Sequence, residues 1–424
     1  MADDATPSGA AGGSPNLAVR LDPDALRHVR RGHPWVFDGS IESVRGGRYG
    51  DGTGEPGDLA VVFDERRRFA AVGLWDPASP IRIKVLQSSH PVEVGPELWN
   101  DRLAHALAHR WALLGSADSD ALRLLHGEND RMPGVVVDLY RTVAVVKLYS
   151  EAWIPHLDDL LDVLQAAVWS ITAIVLRLSR RVAAGALARQ RGLVDGDVVR
   201  GSLRTERVTF SEHGLRFAAD VRRGQKTGWF LDQRDNRALV GSMADGARVL
   251  DVFCCGGGFS VHAAAGGAAH VHSVDISPHA IAETANSFEL NREVGSVGRA
   301  GTVGTVGDAF EVMDDLRRAG ERFDLVVVDP PSFASRQADV TGALKAYGAL
   351  TTLAVGLVEP GGTLVQASCS SRVDMASFLG IVHRAAERAG ASLVTLEQTG
   401  QPIDHPVGFP EGAYLKALFA RVER

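Results

Sequence analysis

The sequence predicts an α/β protein, in which a parallel sheet in the C-terminal half follows a β-rich segment and a small α+β domain. From Arg248 onwards, strand-like and helix-like runs alternate, which implies βαβ units and a parallel sheet. The last two strand-like runs, 392–398 and 413–421, are joined by a loop without a helix, so we expect them to pair antiparallel. Before residue 95 the chain instead shows short strands separated by polar turns.

Length and composition set limits on the class of protein. The 424 residues are enough for two or three domains, and 45% hydrophobic residues is typical of a globular chain. A net charge of −7 argues against a uniformly basic nucleic-acid-binding protein, so any RNA-binding surface must be local. The three cysteines show no CxxC spacing, which argues against a zinc or other metal site and favours a reducing compartment. We see no signal peptide and no apolar run of the roughly 20 residues that cross a bilayer. We therefore expect a cytoplasmic protein without membrane contact.

Four segments are expected along the chain. Residues 1–16 are rich in Ala, Gly, Ser and Pro, which is typical of a disordered tail. The β-rich domain covers 17–95, the α+β domain 96–211, and the domain with the parallel sheet 212–424.

The β-rich domain contains a patch of cations and aromatic rings between Arg30 and Asp38. Its Arg31 and Trp35 could hold a phosphate and stack a base. The pattern alone favours the alternative, in which Trp35 and Phe37 belong to the core and the arginines are solvated. The strand-like runs of this domain are 57–64, 69–75 and 81–86.

The α+β domain contains a polar turn at residues 128–131 that could form a site, although turn chemistry is the simpler explanation. We expect helices over 99–114 and 154–170 and strands over 122–126, 135–140, 143–149 and 171–178.

A charged segment, 222–237, precedes the parallel sheet. It combines aromatic residues with the polar residues Lys226, Asp232, Gln233, Arg234 and Arg237, a mixture that favours the wall of a ligand site over a purely structural segment.

The first five predicted strands of the C-terminal domain each end at a polar or reactive side chain. The first strand ends at Asp251 and runs into the glycines 256–258, and the second ends at Asp275, near the spacing of ribose-binding acids. Later strands end at Asp308, at Asp329 and at Cys369. Because the carboxyl ends of parallel strands meet at one sheet edge, these groups should form one site. The turn lacks GxGxxG, so a nucleoside with a short charged tail, such as S-adenosylmethionine, fits better than a dinucleotide. A parallel sheet with one antiparallel terminal strand is also the architecture of class I methyltransferases.

The sequence resembles the bacterial large-subunit rRNA methyltransferase family that forms 5-methylcytosine in 23S rRNA. The likeness covers nearly the whole chain after the tail and implies an N-terminal PUA domain. Two departures occur: Cys254-Cys255-Gly256 replaces the usual Ser-Tyr-Thr, and Ser332 stands where several relatives carry Lys. The motifs that carry the likeness are Arg31-Gly-His-Pro-Trp-Val-Phe37, 127–138, Lys226-Thr-Gly-Trp-Phe-Leu-Asp-Gln-Arg234, Asp329-Pro-Pro-Ser-Phe333, Ser368-Cys-Ser370 and 405–416.

The resemblance implies a chemistry for two strand tips. C5 of cytosine is a poor nucleophile until a thiolate adds at C6, which requires covalent catalysis. By position alone, Cys369 could be that nucleophile or a small buried residue, and the resemblance favours the nucleophile. Asp329 could hydrogen-bond the base near N3 or cap its strand. Cys254 and Cys255 line the turn and are expected to be structural.

The resemblance also implies S-adenosylmethionine as cofactor and ribosomal RNA as partner, and it leaves a homodimer open. Asp275 should take the ribose hydroxyls, Asp308 the adenine amino group and Asp251 the ammonium or sulfonium, while Gly257 and Gly258 lie under the methionine. The predicted cofactor residues are Asp251, Phe253, Gly257, Gly258, Asp275, Asp308 and Asp329, and the predicted RNA contacts are Arg31, Trp35, Lys226, Gln233 and Arg234.

Two other functions remain open from the sequence. Asp-Pro-Pro near an aromatic residue suits methylation of an exocyclic amine or ring nitrogen of RNA, which would not need Cys369. An inactive RNA-binding ribosome-assembly factor is the other, although the intact acids at the strand tips argue against it.

Overall fold

The computed structural model describes residues 16–47, 50–334 and 336–424, which form two compact units. All but Asn16 of the expected tail lies outside these residues, and the four expected domain limits stay a prediction. The first unit takes in the chain to Leu107 with 125–137 and 145–202, and the second takes in 108–124, 138–144 and 203–424.

The N-terminal part of the first unit is a six-stranded sheet in the order β2-β6-β5-β4-β1-β3. The predicted strand 69–75 is confirmed as β5. Helix α1 was not predicted; its start is marked by Pro23 and by the Asp22 carboxylate, which accepts from Ala25 N. The elements are β1 (Leu17–Leu21), α1 (Pro23–Arg30), β2 (Trp35–Phe37), β3 (Ile41–Gly46), β4 (Leu59–Phe63), β5 (Phe69–Trp75) and β6 (Ile81–Ser88).

A five-stranded sheet follows, in the order β11-β10-β9-β8-β7. The single helix expected over 99–114 is interrupted at Arg110, and the helix expected from 154 begins with a 3₁₀ turn that contains Pro155. The elements are α2 (Pro96–His109), α3 (Trp111–Leu114), β7 (Ala121–His126), β8 (Val135–Tyr140), β9 (Val143–Leu148), α4 (Leu157–Ala167), β10 (Ala173–Leu178), α5 (Arg180–Ala183), α6 (Ala186–Gln190) and β11 (Asp197–Gly201).

The rest of the second unit begins with a hairpin and continues as alternating strands and helices. Its elements are β12 (Arg207–Glu212), β13 (Leu215–Asp220), α7 (Arg234–Ser242), β14 (Arg248–Val252), α8 (Gly258–Ala265), β15 (His270–Asp275), α9 (Pro278–Leu290), α10 (Gly295–Arg299), β16 (Gly301–Val306), α11 (Ala309–Arg318), β17 (Phe323–Val328), α12 (Val340–Leu357), β18 (Val358–Ser368), α13 (Met375–Arg388), β19 (Ser392–Thr399) and β20 (Lys416–Glu423).

These strands form a seven-stranded sheet in the order β16-β15-β14-β17-β18-β20-β19. Strands β14 to β18 pair in parallel, whereas β20 runs antiparallel to both β18 and β19. The predicted α/β fold with an antiparallel last strand is therefore confirmed. Since β14 lies between β15 and β17, the chain reverses its direction of winding there, and the tips of these three strands lie side by side.

Helices cover both faces of this sheet, and alternate residues of β14 reach the two layers. Val249 packs with Phe259 of α8, whereas Leu250 packs with Leu350 of α12. The segment Gln337–Leu357, which contains α12, is by length and composition alone apolar enough to cross a membrane, although no such segment was predicted. It is a core helix here, because its Tyr347 and Leu350 are fully buried.

Candidate functional site

The turn after β14 combines three residues with left-handed backbone. Phe253, Cys255 and Gly257 have φ of 66°, 50° and 77°. Phe253 N and Cys254 N both donate to the carbonyl of Val274, which ties the turn to β15. Two non-glycine residues in this region are unusual, and such strain is found most often where a ligand binds.

The glycines of this turn allow the segment 222–237 to approach closely. A Cβ atom on Gly256 would lie 2.7 Å from Cζ3 of Trp229, and one on Gly258 would lie 2.5 Å from Cδ of Arg237. Arg237 is itself fixed, because its guanidinium donates twice to Glu212 at 2.7 Å. The segment 222–237, hereafter the wall, therefore packs directly against the glycine turn.

Asp251 is fully buried beneath this turn, and only one of its carboxylate oxygens has a partner. Its Oδ2 accepts from Ser260 N at 3.0 Å and from Ser260 Oγ at 2.6 Å. Its Oδ1 is buried without a hydrogen-bond partner among the described residues. Burial raises the pKa of Asp251 to about 6, and the nearby charge of Asp275 acts in the same direction. A cationic ligand group would satisfy this oxygen, as the methionine end of S-adenosylmethionine could.

Asp275 and Asp308 occupy the next two strand tips. Asp275 accepts from Cys255 N at 3.1 Å and from Ser277 N at 2.9 Å, so it links its own tip to the glycine turn. One oxygen of Asp308 caps α11 by accepting from Phe310 N and Glu311 N. The structure thus gives Asp308 a capping role, and its predicted contact with adenine stays a prediction, as does the ribose contact of Asp275. Ile276, which was not predicted as a site residue, is 68% exposed beside Asp275 and could cover an apolar face of a ligand.

Asp329 and Cys369 lie together at the tips of β17 and β18. Cys369 Sγ is 3.8 Å from the carbonyl oxygen of Pro330, which follows Asp329. Burial and the negative charge of Asp329 raise the pKa of the Cys369 thiol to about 11. Burial and the charges of Asp232 and Asp251 raise the pKa of Asp329 to about 7. The thiol is therefore protonated at neutral pH, beside a carboxyl group that titrates there.

The three predicted RNA contacts of the wall differ in exposure. Lys226 is partly exposed, and its ammonium lies 3.0 Å from Asp232 Oδ2 and 4.4 Å from the ring centroid of Phe230. Gln233 is buried and hydrogen-bonds Asp329, so it acts on the site through that carboxyl group. The structure does not present Arg234 to RNA: the guanidinium is 1% exposed and donates to both oxygens of Asp404. A buried, bidentate ion pair positions the wall instead.

Two further residues of this site, Asp232 of the predicted wall and Lys416, were given no individual role from the sequence. Asp232 is 5% exposed, and its Oδ2 also accepts from the Tyr414 hydroxyl at 2.8 Å. Lys416 is buried, and its ammonium donates to the carbonyls of Ser370 and Val373, both at 2.6 Å, which fixes the segment after Cys369. Burial lowers the pKa of Lys416 to about 8.

The remaining cysteines belong to the glycine turn. Cys254 is buried with Sγ 3.5 Å from Thr284 Oγ1, and burial raises the pKa of its thiol. Burial likewise raises the pKa of the Cys255 thiol to about 11. In the part of the chain that the structure describes, no group of three or more His, Cys, Asp or Glu side chains is arranged to hold a metal ion.

Arg31 and Trp35, the other two predicted RNA contacts, belong to the first unit. Arg31 is exposed, whereas Trp35 is half-buried and donates through Nε1 to Glu128 at 2.9 Å. Phe37 is 47% exposed and packs edge-on against Trp35. The ring of Trp35 is therefore only partly a core residue, and its RNA contact stays a prediction.

Comparison with known proteins gives the family. Residues 123–421 match the model of S-adenosylmethionine-dependent methyltransferases, and residues 19–88 match a PUA-like domain. The chain is 44% identical to a ribosomal RNA large subunit methyltransferase of Deinococcus radiodurans, over 98% of this chain and all of that protein. It is 34% identical to ribosomal RNA large subunit methyltransferase I of Tolumonas auensis, over 96% of this chain and 99% of that protein.

Solved structures agree on the fold. A protein described as a methyltransferase and complexed with SAH superposes with a TM-score of 0.79 at 20% identity, over 96% of this chain and 99% of that chain. A protein from Streptococcus mutans described as a SAM-dependent methyltransferase gives 0.78 at 19%, over 95% and 99%. The chain therefore belongs to the S-adenosylmethionine-dependent methyltransferase family, and within it to the group that contains the ribosomal RNA large subunit methyltransferases.

Proposed function

We propose that the protein methylates C5 of a cytosine in large-subunit ribosomal RNA. The relatives named above are ribosomal RNA large subunit methyltransferases, and this chain matches them over at least 99% of their length. A PUA-like domain also accompanies the methyltransferase domain. The observation that carries the C5 chemistry is the position of the Cys369 thiol at a strand tip beside Asp329, apart from the turn that holds the other two cysteines.

The reaction needs Cys369 because C5 of cytosine is not nucleophilic by itself. As the S–C6 bond forms, the C5=C6 electron pair becomes available at C5, which then bonds to the methyl group. Bound S-adenosylmethionine supplies that methyl group. A base then takes the C5 proton, which restores the C5=C6 double bond, breaks the S–C6 bond and expels the cysteine as a thiolate.

Asp329 handles the proton that this addition releases. The thiol is protonated at neutral pH, and a carboxyl group with a pKa of about 7 beside it can accept that proton. The same carboxyl group can then pass the proton to N3 of the base, since addition at C6 makes the ring more basic. When the S–C6 bond breaks, the N3 proton returns through Asp329 to the thiolate, so the thiol is restored and the C5 proton is the one net proton released.

Four acidic groups divide between the two reactants in this scheme. Asp251 and Asp275 border the glycine turn and would hold the methionine and ribose portions of the cofactor. Asp329 and Asp232 border Cys369 and would face the base. Lys226, partly exposed at the edge of the same wall, is placed to meet a phosphate of the RNA.

Methylation of an exocyclic amine is the competing function, and the surroundings of Asp-Pro-Pro disfavour it. That reaction would use the aromatic residue after the prolines to stack the target base. Here Phe333 is partly buried and packs edge-on against Tyr347, with ring centroids 5.2 Å apart, on the hydrophobic cluster behind β18. Ser332 turns its hydroxyl to Ser370 Oγ at 2.9 Å.

The experiment is covalent trapping with ribosomal RNA that contains 5-fluorocytosine. Fluorine at C5 cannot leave as a proton does, so the wild-type protein should remain bound through sulfur. Cys369→Ser should give no adduct and no turnover, because a hydroxyl is a far weaker nucleophile, and it should still bind S-adenosylmethionine in calorimetry. Cys255→Ser should still be trapped.

Wild-type turnover by Cys369→Ser would contradict the thiol mechanism and favour amine methylation. Failure of the wild-type protein to bind S-adenosylmethionine would instead favour an inactive assembly factor. Mapping of 5-methylcytosine in ribosomal RNA from cells with and without the protein identifies the nucleotide.

A further inference from the structure

Asp232 is a buried carboxylate with one satisfied oxygen and one unsatisfied oxygen. Its Oδ2 accepts from Lys226 Nζ at 3.0 Å and from the Tyr414 hydroxyl at 2.8 Å. Its Oδ1 has no hydrogen-bond partner among the described residues and is shielded from solvent. A buried carboxylate oxygen without a donor is costly, so such an atom points to a ligand that brings its own donor.

The surroundings keep this carboxylate ionised. Burial acts against the charge, but Lys226, His405 and Arg123 outweigh it and hold the pKa of Asp232 well below its usual range. The Tyr414 hydroxyl stays protonated, because burial and the charge of Asp232 raise its pKa well above the ordinary value. Asp232 can therefore only accept hydrogen bonds.

Asp232 belongs to the group of charges that surround the Cys369 thiol. Asp329, Lys226 and Asp232 are the charged groups that act most strongly on the Cys369 thiol. Asp251, the other carboxylate with an unsatisfied oxygen, lies under the glycine turn with Ser260. The two unsatisfied oxygens thus belong to different halves of the site, one near the turn and one near the thiol.

We propose that Asp232 Oδ1 accepts a hydrogen bond from the exocyclic amino group of the target cytosine, which makes Asp232 the residue that distinguishes cytosine from uracil. This inference rests on the proposed C5-cytosine function. Cytosine offers an N4 amino donor beside the N3 acceptor, whereas uracil offers an O4 acceptor beside an N3 donor. The ionised carboxylate of Asp232 can accept from the N4 amino group of cytosine, and a protonated Asp329 can donate to N3. The same carboxylate would repel O4 of uracil.

The preference for cytosine over uracil should be strong, although it depends on a single hydrogen bond. A site built to bind a substrate N–H rejects an analogue that lacks it, because the buried acceptor is then left unpaired. Lys226 and Tyr414 hold Oδ2, so the carboxylate cannot turn away to satisfy Oδ1 elsewhere.

The experiment uses a synthetic RNA around the mapped site, with cytosine, pyrimidin-2-one or uracil at the target position, and measures kcat/KM. Pyrimidin-2-one lacks the amino group but differs in intrinsic reactivity, so the informative quantity is the change in the cytosine-to-pyrimidinone ratio between enzymes. Asp232→Asn should lower this ratio by about 10- to 100-fold and raise the relative rate on uracil. Tyr414→Phe removes a hydrogen bond to Oδ2 and not to Oδ1. This variant should therefore have a lower kcat/KM but keep the wild-type cytosine-to-pyrimidinone ratio.

A substrate-side test needs no variant. The wild-type protein should lose about 10-fold or more in kcat/KM on N4,N4-dimethylcytosine, which has no N4–H, relative to N4-methylcytosine, which keeps one. An unchanged cytosine-to-pyrimidinone ratio in Asp232→Asn would overturn the inference. So would loss of S-adenosylmethionine binding with unchanged base discrimination, which would assign Oδ1 to the cofactor ammonium. No cytosine methylation by the wild-type protein would overturn the proposed function itself.

Discussion

Among single residues, Asp251 should make cofactor binding depend on pH. Its carboxyl group has a pKa of about 6, and Asp275, Arg237 and Ser260 are the polar groups that act on it. Below pH 6 the group is mostly neutral, and above it the group is an anion with one unpaired oxygen. A ligand with a net positive charge binds the anion better, so binding should drive proton release.

S-adenosylmethionine affinity should therefore rise through about pH 6 and level off above pH 7, by at most about tenfold per pH unit. Titration calorimetry in buffers of different ionisation enthalpy measures both the affinity and the released proton. Asp251→Asn should flatten the rise. Asp275→Ala should instead weaken binding by about 1–3 kcal/mol through the loss of a charged hydrogen bond. A wild-type affinity that is flat from pH 5 to 8 would contradict the role of Asp251.

At the scale of elements, the glycine turn allows β14, α8 and the wall to pack closely together. Gly256→Ala should displace Trp229, since its Cβ would lie 2.7 Å from that ring. Because the ring also packs against Phe217, with centroids 4.8 Å apart, it has little room to move, and we expect a loss of about 1–3 kcal/mol in unfolding free energy, with weaker cofactor binding.

The control for this substitution is Gly342→Ala in α12, whose Cβ meets no atom within 4 Å. It should leave cofactor binding intact and stabilise the helix by about 0.5–1 kcal/mol. Chemical denaturation measures both variants. Equal stability of Gly256→Ala and the wild type would show that the wall is loosely packed.

The elements also show what the sequence could and could not predict. Alternating strands and helices, the acids at the strand tips and the final antiparallel strand follow from local patterns, and the structure has all of them. Pairing between distant side chains left no local signal. Arg234 carries the pattern of an RNA contact, but its partner Asp404 is 170 positions away, and Tyr414 reaches Asp232 across 182. Whether a charged side chain is buried depends on such distant partners. The burial of Arg234 and the contact between Tyr414 and Asp232 could therefore not be predicted from local spacing.

For the whole molecule, the acidic net charge makes a specific prediction about RNA binding. Affinity for ribosomal RNA should fall steeply with salt, because a local basic surface must supply the phosphate contacts. Arg31 is exposed, whereas the neighbouring Arg30 donates to Asp64 at 2.8 Å. Arg31→Ala should therefore reduce the slope of log K against log salt by about 1, and Arg30→Ala should reduce it less.

Filter binding across a salt series tests this prediction. A flat response of the wild-type protein, or identical slopes for Arg31→Ala and the wild type, would show that the β-rich domain is not the RNA-binding platform.

The second compact unit is assembled from pieces that are far apart in the chain. Its residues 108–124 and 138–144 alternate with 125–137 and 145–202 of the first unit before the chain returns at 203. The Arg123 amide donates to the Asp404 carboxylate across 281 positions. At a synthesis rate of about 5–20 residues per second, Arg123 would leave the ribosome roughly 15–55 seconds before its partner exists. The early pieces must stay soluble through that interval, so a nascent chain stalled before residue 404 should be a preferred client of chaperones and proteases.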